Sequence, residues 1–383
     1  MGDKTKNAGE AGVKSYHDEV AKVSDGIIAF FKKTFSEVHF EGPPFDPAEV
    51  QRSPVMFVGT HRSHADYFFI GSNFLKLGFR NIRFAAGDNL TKLPWIGPRF
   101  LTFGAFAVSR DSGFDRNYVR KLCAQVIKMM EEGDSILVFP EGGRSYSGSM
   151  LEIKGGILNA ALMLQAAKPD RDVFLVPAAI SYDCLPDLPY FPLLLKGKTL
   201  RKRPNGFFKR TLGSIYYFGA DVMAFLPFLF ARRFGRKYGA LYMDYGMPVS
   251  VRSLVDLEAN RVQNARDEFA AHRASLDIVG EQIRKMFTAA YRVLPIHIIS
   301  AGIKSGETDP AKLEAYAEEM KTSISKDGRN CKTVGAMPPQ EIVAKGIAQL
   351  RKLKAVKIKN KKISVRKAYI IDYFAATVSP SVK

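Results

Sequence analysis

The chain has 383 residues, 46% of them hydrophobic, enough to bury a large core in one main domain with one or two additions. Its net charge of +19 is concentrated: residues 195–237 hold eleven Lys or Arg against one acid, and 345–367 hold ten against none. Such patches point to anionic partners (membrane lipid, a phosphorylated substrate, nucleic acid), while three dispersed cysteines without a CxxC pair argue for a reducing compartment and against structural zinc.

The N-terminus is polar and reads as lacking a signal peptide. Residues 14–37 then place Val20, Val23, Ile27, Ile28, Phe30, Phe31 and Phe35 at helical spacing, which predicts an amphipathic helix that either caps the core or meets a membrane. From about residue 50, short apolar runs alternate with helical stretches. Strands are expected at 55–58, 82–86, 105–109, 135–139, 173–181 and 240–245, and helices at 64–77, 114–132, 155–168 and 253–292. This alternation predicts an α/β fold, a mixed, largely parallel sheet flanked by helices. Ligands of such sheets gather beyond the strand carboxyl ends, so the loops after residues 58, 108 and 139 are where chemistry is expected.

Residues 211–231 carry a single charge, Asp221. That length would span a bilayer, but a carboxylate near the centre costs about 3 kcal/mol and Pro227 interrupts the helix. A helix or hairpin lying in the interface, its basic flanks on anionic head groups, is the expectation, with a buried core helix as the other reading. After residue 293 the chain turns helical and polar (310–323, 339–353), then alternates through Ala355–Val365 as a β-hairpin, a winged-helix-like pattern. A basic winged helix could bind nucleic acid, but no aromatic interleaving or recognition-helix pattern accompanies it. The expected division is an N-terminal helical segment 1–48, an α/β domain 49–252 containing the basic-flanked segment 195–237, a helical region 253–309 and a basic C-terminal module 310–383.

Chemistry is concentrated in His61-Arg62-Ser63-His64-Ala65-Asp66, just after the apolar run 55–59. A histidine needs a carboxylate to set its tautomer before it can take a proton from an alcohol. Residues five apart lie about 140° apart on one helix, so the two meet only if His61 is in the loop and Asp66 in the first helical turn. Ser63 is the expected N-cap, with Asp66 as its capping-box acid. Further on, Ala105–Val108 leads into Ser109-Arg110, and Phe139-Pro140 leads into Glu141-Gly142-Gly143-Arg144-Ser145-Tyr146-Ser147-Gly148. Glycines let backbone N–H groups approach an anion and a guanidinium forks onto phosphate oxygens; Lys154, before Gly155-Gly156 and a helix start, could add a contact.

In this order and spacing the segments resemble the glycerol-phosphate acyltransferase family with its histidine-x4-aspartate motif, closest to the glycerol-3-phosphate and dihydroxyacetone-phosphate branch. The blocks are His61 to Tyr67, Glu141 to Gly148, Val176-Pro177 to Tyr182-Asp183, and Leu241 to Ser250. His64 stands where that branch reads tyrosine, Ser109 where it reads a first arginine, and Tyr146-Ser147 where it reads Arg-Thr.

The resemblance implies a membrane-associated enzyme of the cytoplasmic face that acylates glycerol 3-phosphate, or alternatively lysophosphatidic acid, in phospholipid biosynthesis. It implies His61 as general base and Asp66 as its orienting acid. Arg110, Glu141, Gly143, Arg144, Ser145 and Lys154 would hold the acceptor, Gly142 and nearby backbone donors the oxyanion, and Pro177 would shape the pocket. The acyl donor, acyl-CoA or acyl-carrier protein, is a co-substrate, with no cofactor or metal expected. The anionic membrane surface is the expected partner and nucleic acid is not.

Overall fold

The computed structural model describes residues 22–87, 101–109, 115–202, 216, 219–220, 222–224, 237–263, 268–360 and 362–378. Its centre is an eight-stranded sheet: β1 (Glu37–Glu41), β2 (Val55–Gly59), β3 (Ile82–Gly87), β4 (Ala105–Val108), β5 (Ser135–Val138), β6 (Phe174–Tyr182), β7 (Ala240–Tyr245) and the short β8 (Val249–Ser250). The strands lie in the order β1-β7-β6-β2-β5-β3-β4, with β8 also on β6. Every pairing is parallel except β6 with β7 and β6 with β8. The mixed, largely parallel sheet expected from the alternation is the one observed.

Period-two alternation sends each central strand to both faces. Val55 and Phe57 of β2 and Leu137 of β5 join one apolar cluster, whereas Met56, Val58, Ile136 and Val138 join the other. Because both faces are covered, the strands read as continuous apolar runs and all five residues of β2 are buried. On the first face lie the helix 22–34 (α1) and α2 (Asp66–Leu77); Phe31 meets Phe69 at 4.8 Å and Phe57 stacks on Phe74 at 4.1 Å. The described part of the opening helix thus packs its apolar stripe on the core. On the second face lie α3 (Arg116–Glu131), α4 (Leu158–Ala167) and, after α5 (Phe191–Lys202), α6 (Glu268–Ala290).

The helix expected over 253–292 is interrupted. Val251–Leu254 ends at an extended Val255, and Oδ1 of Asp256 accepts from Ala259 N at 2.8 Å to start a second helix, Leu257–Gln263. The helix expected from 155 begins at Leu158, after Gly156 at φ +37°. Most of 211–231, the candidate membrane segment, lies outside the described residues.

Beyond residue 293 come α7 (Pro295–Lys304), α8 (Pro310–Lys326), α9 (Pro339–Lys352), the antiparallel hairpin β9 (Val356–Lys359) with β10 (Lys362–Val365), and α10 (Ala368–Ala376). Their apolar residues, including Ile298, Ile347 and Phe374, belong to the same cluster as Phe57 and Phe69, so this part packs on the sheet domain's first face. Arg292 ties the two regions: it pairs bidentately with Asp244 at 2.9 and 2.6 Å, reaches Glu41 at 2.8 Å, and lies 4.5 Å over the Tyr242 ring.

Candidate active site

At the carboxyl end of β2 the pairing with β6 continues one residue: Thr60 N donates to Ala178 O at 3.0 Å, and Thr60 Oγ1 accepts from Ile180 N at 3.0 Å. The chain then leaves the sheet at His61 as an irregular turn, and α2 begins only at Asp66. Nδ1 of His61 lies 2.9 Å from Oδ2 of Asp66. A carboxylate can only accept, so the imidazole carries its proton on Nδ1 and turns Nε2 outward, where the Tyr67 hydroxyl lies 3.2 Å away. The same Oδ2 accepts from the backbone N–H groups of Arg62 (2.6 Å) and Ser63 (2.8 Å), and Oδ1 accepts from the Tyr182 hydroxyl at 2.6 Å. Four donors therefore hold the carboxylate still.

Ser63 is not the cap that the sequence suggested. Ala65 occupies the N-cap position without a side-chain hydrogen bond, while Ser63 Oγ accepts from Ala65 N at 3.3 Å and donates to Asp187 Oδ2 at 3.3 Å. Half of the expected capping box survives, in the Asp66 carboxylate accepting from Ser63 N.

His61 is 5% exposed and stacks on Phe139 at 4.3 Å. Burial lowers its pKa below the ordinary 6.5, with the Arg144 charge adding to that, and the hydrogen bond and charge of Asp66 oppose it. The imidazole is thus neutral at pH 7, with a proton on the nitrogen facing Asp66 and an electron pair on the other. That is the state a general base requires. Burial, with Asp66 beside it, also holds the Tyr182 hydroxyl well above its ordinary value, so Tyr182 stays a donor.

The loop after β5 is bound to this turn. His61 N donates to Glu141 Oε1 at 3.2 Å, Leu151 N donates to Glu141 Oε2 at 2.8 Å, and Arg62 Nη1 lies 3.6 Å from that second oxygen. Arg62 is itself buried, donating to Ser149 O at 3.2 Å and lying over the Tyr291 ring at 5.4 Å. Ser145 N donates to His61 O at 3.0 Å and its hydroxyl to Ser149 O at 2.6 Å. Gly142 sits at φ +68° with its N–H on Phe139 O at 2.9 Å, which closes the turn. That N–H is therefore spent within the protein, and the expectation that it meets an oxyanion is corrected on this ground. Gly148, at φ +83°, lets the loop pass against Tyr373: a Cβ there would lie 1.8 Å from the Tyr373 carbonyl oxygen.

The structure thus brings His61, Asp66, Glu141, Gly142, Gly143, Arg144 and Ser145 into one constellation. Arg144 is buried; its Nη1 contacts both ring nitrogens of His64, lies 4.0 Å from Asp187 Oδ2, and its guanidinium covers the Tyr146 ring at 5.5 Å. Lys154 joins through its backbone, with N on Pro140 O at 2.8 Å, and its exposed side chain runs past Gly142. Pro177 is buried inside β6, opposite Val58, beside the start of the turn. Arg110 lies outside the described residues; its strand β4 is the sheet edge, separated from β2 by β5 and β3, about 14 Å at ordinary strand spacing.

Sequence reasoning missed Asp187, Tyr67 and the structural part played by Arg62. Asp187, in Leu185-Pro186-Asp187-Leu188-Pro189, looks like an ordinary turn aspartate, and nothing local ties it to His64. Among the described residues no group of three or more His, Cys, Asp or Glu side chains could hold a metal ion.

A strand-end histidine oriented by a buried aspartate, with an arginine presented from the neighbouring strand's loop, can take a proton from a hydroxyl beside an anion-binding cation. Residues 43–181 match the acyltransferase family model. Over 263 residues the chain is 26% identical to the glycerol-3-phosphate acyltransferase of Shewanella halifaxensis (strain HAW-EB4), an alignment covering 67% of this chain and 29% of that protein. A second relative, the glycerol-3-phosphate acyltransferase of Shewanella pealeana (strain ATCC 700345 / ANG-SQ1), is 26% identical over 252 residues, covering 64% of this chain and 28% of the relative. The chain thus spans under a third of the length of these relatives. A crystal structure of the 1-acyl-sn-glycerophosphate (LPA) acyltransferase PlsC from Thermotoga maritima aligns over 74% of this chain and 83% of that chain, with 16% identity and a TM-score of 0.36.

Proposed function

We propose that this protein transfers an acyl group from a thioester donor to a hydroxyl of glycerol 3-phosphate. The observation that carries the reading is the His61–Asp66 pair: Nδ1 bound to a buried carboxylate that four donors hold still, with Nε2 turned toward the Tyr67 hydroxyl. In the reaction, His61 Nε2 takes the proton of the acceptor hydroxyl as its oxygen attacks the thioester carbonyl. The imidazolium is stabilised by Asp66, the C–S bond breaks as the tetrahedral intermediate collapses, and the proton leaves with the thiol. The transfer is direct in this reading: Cys123 and Cys184 are buried, with thiols pushed up to about 11 and about 12 by burial, far from a nucleophile's setting. Arg144 and Lys154 meet the acceptor phosphate, a pairing supported by their position on the loop that carries Gly142 and Gly143. Glu141 acts indirectly, since its oxygens are taken by Arg62, His61 N and Leu151 N.

Purified protein assayed with glycerol 3-phosphate and with 1-acylglycerol 3-phosphate, each against acyl-CoA and acyl-carrier protein, tests the reading. Acylation of glycerol 3-phosphate, abolished in His61→Ala, is expected. Turnover of 1-acylglycerol 3-phosphate alone would replace the acceptor, and turnover surviving His61→Ala would remove the mechanism.

Among the described residues no helix is long and apolar enough to cross a membrane. The reading places the protein on the cytoplasmic membrane surface through the basic stretch 195–237. The exposed Leu193, Leu195, Val222 and Met223 in and beside it support this. Sedimentation with vesicles of anionic, but not zwitterionic, lipid is the expected result.

A further inference from the structure

The segment His61-Arg62-Ser63-His64 contains a second histidine built to the same plan as the first. Asp187, wholly buried at the turn after β6, accepts on one oxygen from Ser63 Oγ (3.3 Å), His64 N (3.2 Å) and His64 Nδ1 (3.0 Å). This mirrors Asp66, which gathers His61 Nδ1 with the N–H groups of Arg62 and Ser63. The difference lies at the other ring nitrogen. His61 turns Nε2 toward Tyr67, whereas the His64 ring is covered by Nη1 of Arg144. With Nδ1 donating to Asp187, Nε2 of His64 is left as an acceptor, and Nη1 of Arg144, which can only donate, lies against both nitrogens of that ring.

We propose that His64 is a positioning residue for the acceptor phosphate: Asp187 orients His64, and His64 orients the Arg144 guanidinium. This rests on the reading of Arg144 as a phosphate ligand given above. An arginine side chain has about 2 kcal/mol of rotamer freedom, and its fork recognises phosphate only when its plane and direction are set. Here the Tyr146 ring sets the plane, at 5.5 Å, and the imidazole sets the direction. Asp187, 4.0 Å from Nη1, balances the buried charge. The neighbouring histidines of one turn thus divide the work: His61 acts on the hydroxyl and His64 on the cation that holds the substrate's other end.

Steady-state kinetics of four variants test this, each checked by thermal unfolding. His64→Ala should raise KM for glycerol 3-phosphate about tenfold, with kcat at saturating acceptor within about twofold and KM for the acyl donor unchanged. His64→Gln, whose amide oxygen reaches the position of Nε2, should recover most of the loss. His64→Asn, which reaches only Asp187, should not. Asp187→Asn should shift KM in the same direction, and it decides the matter if His64→Ala does not fold.

A fall in kcat of a hundredfold or more at unchanged KM would make His64 a group acting on the reacting atoms and overturn the proposal. Equal rescue by Asn and Gln would reduce His64 to loop support and overturn it too. Arg144→Ala measured alongside separates the two layers. An unchanged KM there removes Arg144 from the phosphate, while a raised KM with a silent His64→Ala removes His64 alone.

Discussion

The His61–Asp66 pair works because two opposing effects act on one ring. Burial lowers the imidazole's affinity for a proton, while Asp66 raises it. The net shift is downward from 6.5, so acidification protonates His61 only below the ordinary imidazole range. Since the protonated ring cannot act as a base, the acid limb of kcat/KM against pH should lie below 6.5; a limb above that value would contradict the burial argument. Asp66→Asn keeps the shape but loses the negative charge that stabilises the imidazolium. It should lower kcat by about 10²- to 10⁴-fold with little change in the acceptor KM, read from initial rates at saturating donor. His297 shows the opposite use of a buried imidazole. Its Nδ1 accepts from Leu294 N at 3.1 Å within a packed helix, and burial pushes its pKa down to about 3.

Among elements, the loops after β2 and β5 are joined by a buried ion pair as well as by the stacking of His61 on Phe139. Glu141 and Arg62 are 1% and 2% exposed, and each also holds backbone groups of the other's loop. Removing one charge from such a pair strands the other: Glu141→Gln should destabilise by about 3 kcal/mol in urea unfolding. The double change Arg62→Met/Glu141→Gln should restore part of that. The same loop meets α10 at Gly148, where both the positive φ and the Tyr373 carbonyl exclude a side chain. Gly148→Ala should therefore cost more than about 1 kcal/mol and expose the segment around α10 to proteolysis. Edge strand β1 and helix α10 were not expected from the sequence, and α7 lies in the stretch 253–309 expected only as a helical region. β1 reads Glu-Val-His-Phe-Glu, three polar positions in five, and is a strand because β7 offers it a parallel edge from Ala240 to Asp244.

For the whole molecule, one apolar cluster runs from α1 through the sheet's first face to α10, and buried His297 packs on its Phe374. Folding keeps His297 neutral, whereas the unfolded chain protonates it near 6.5, so stability is present above 6.5 and is lost as pH falls toward 3. The slope is about 1.4 kcal/mol per pH unit for one proton. His297→Asn, which keeps an acceptor for Leu294 N and cannot titrate, should flatten this dependence in urea unfolding measured from pH 7 to 4; an unchanged slope would assign the acid sensitivity elsewhere. The six central strands were legible to within two residues because each is a short apolar run bounded by polar turns, and a sheet covered on both faces demands such runs. The histidine–aspartate spacing was legible for the same local reason: a base in the turn and an acid in the first helical turn need only six consecutive residues. Asp187, 123 residues beyond His64, carries no local mark. Local pattern by itself determined the strands, the His61–Asp66 pair and the glycine–arginine loop, since hydrogen bonding and turn chemistry act between near neighbours. Only the tertiary structure decided that Glu141 faces inward on Arg62 and that Asp187 stands under His64, because burial and charge pairing depend on which distant segments the sheet brings side by side.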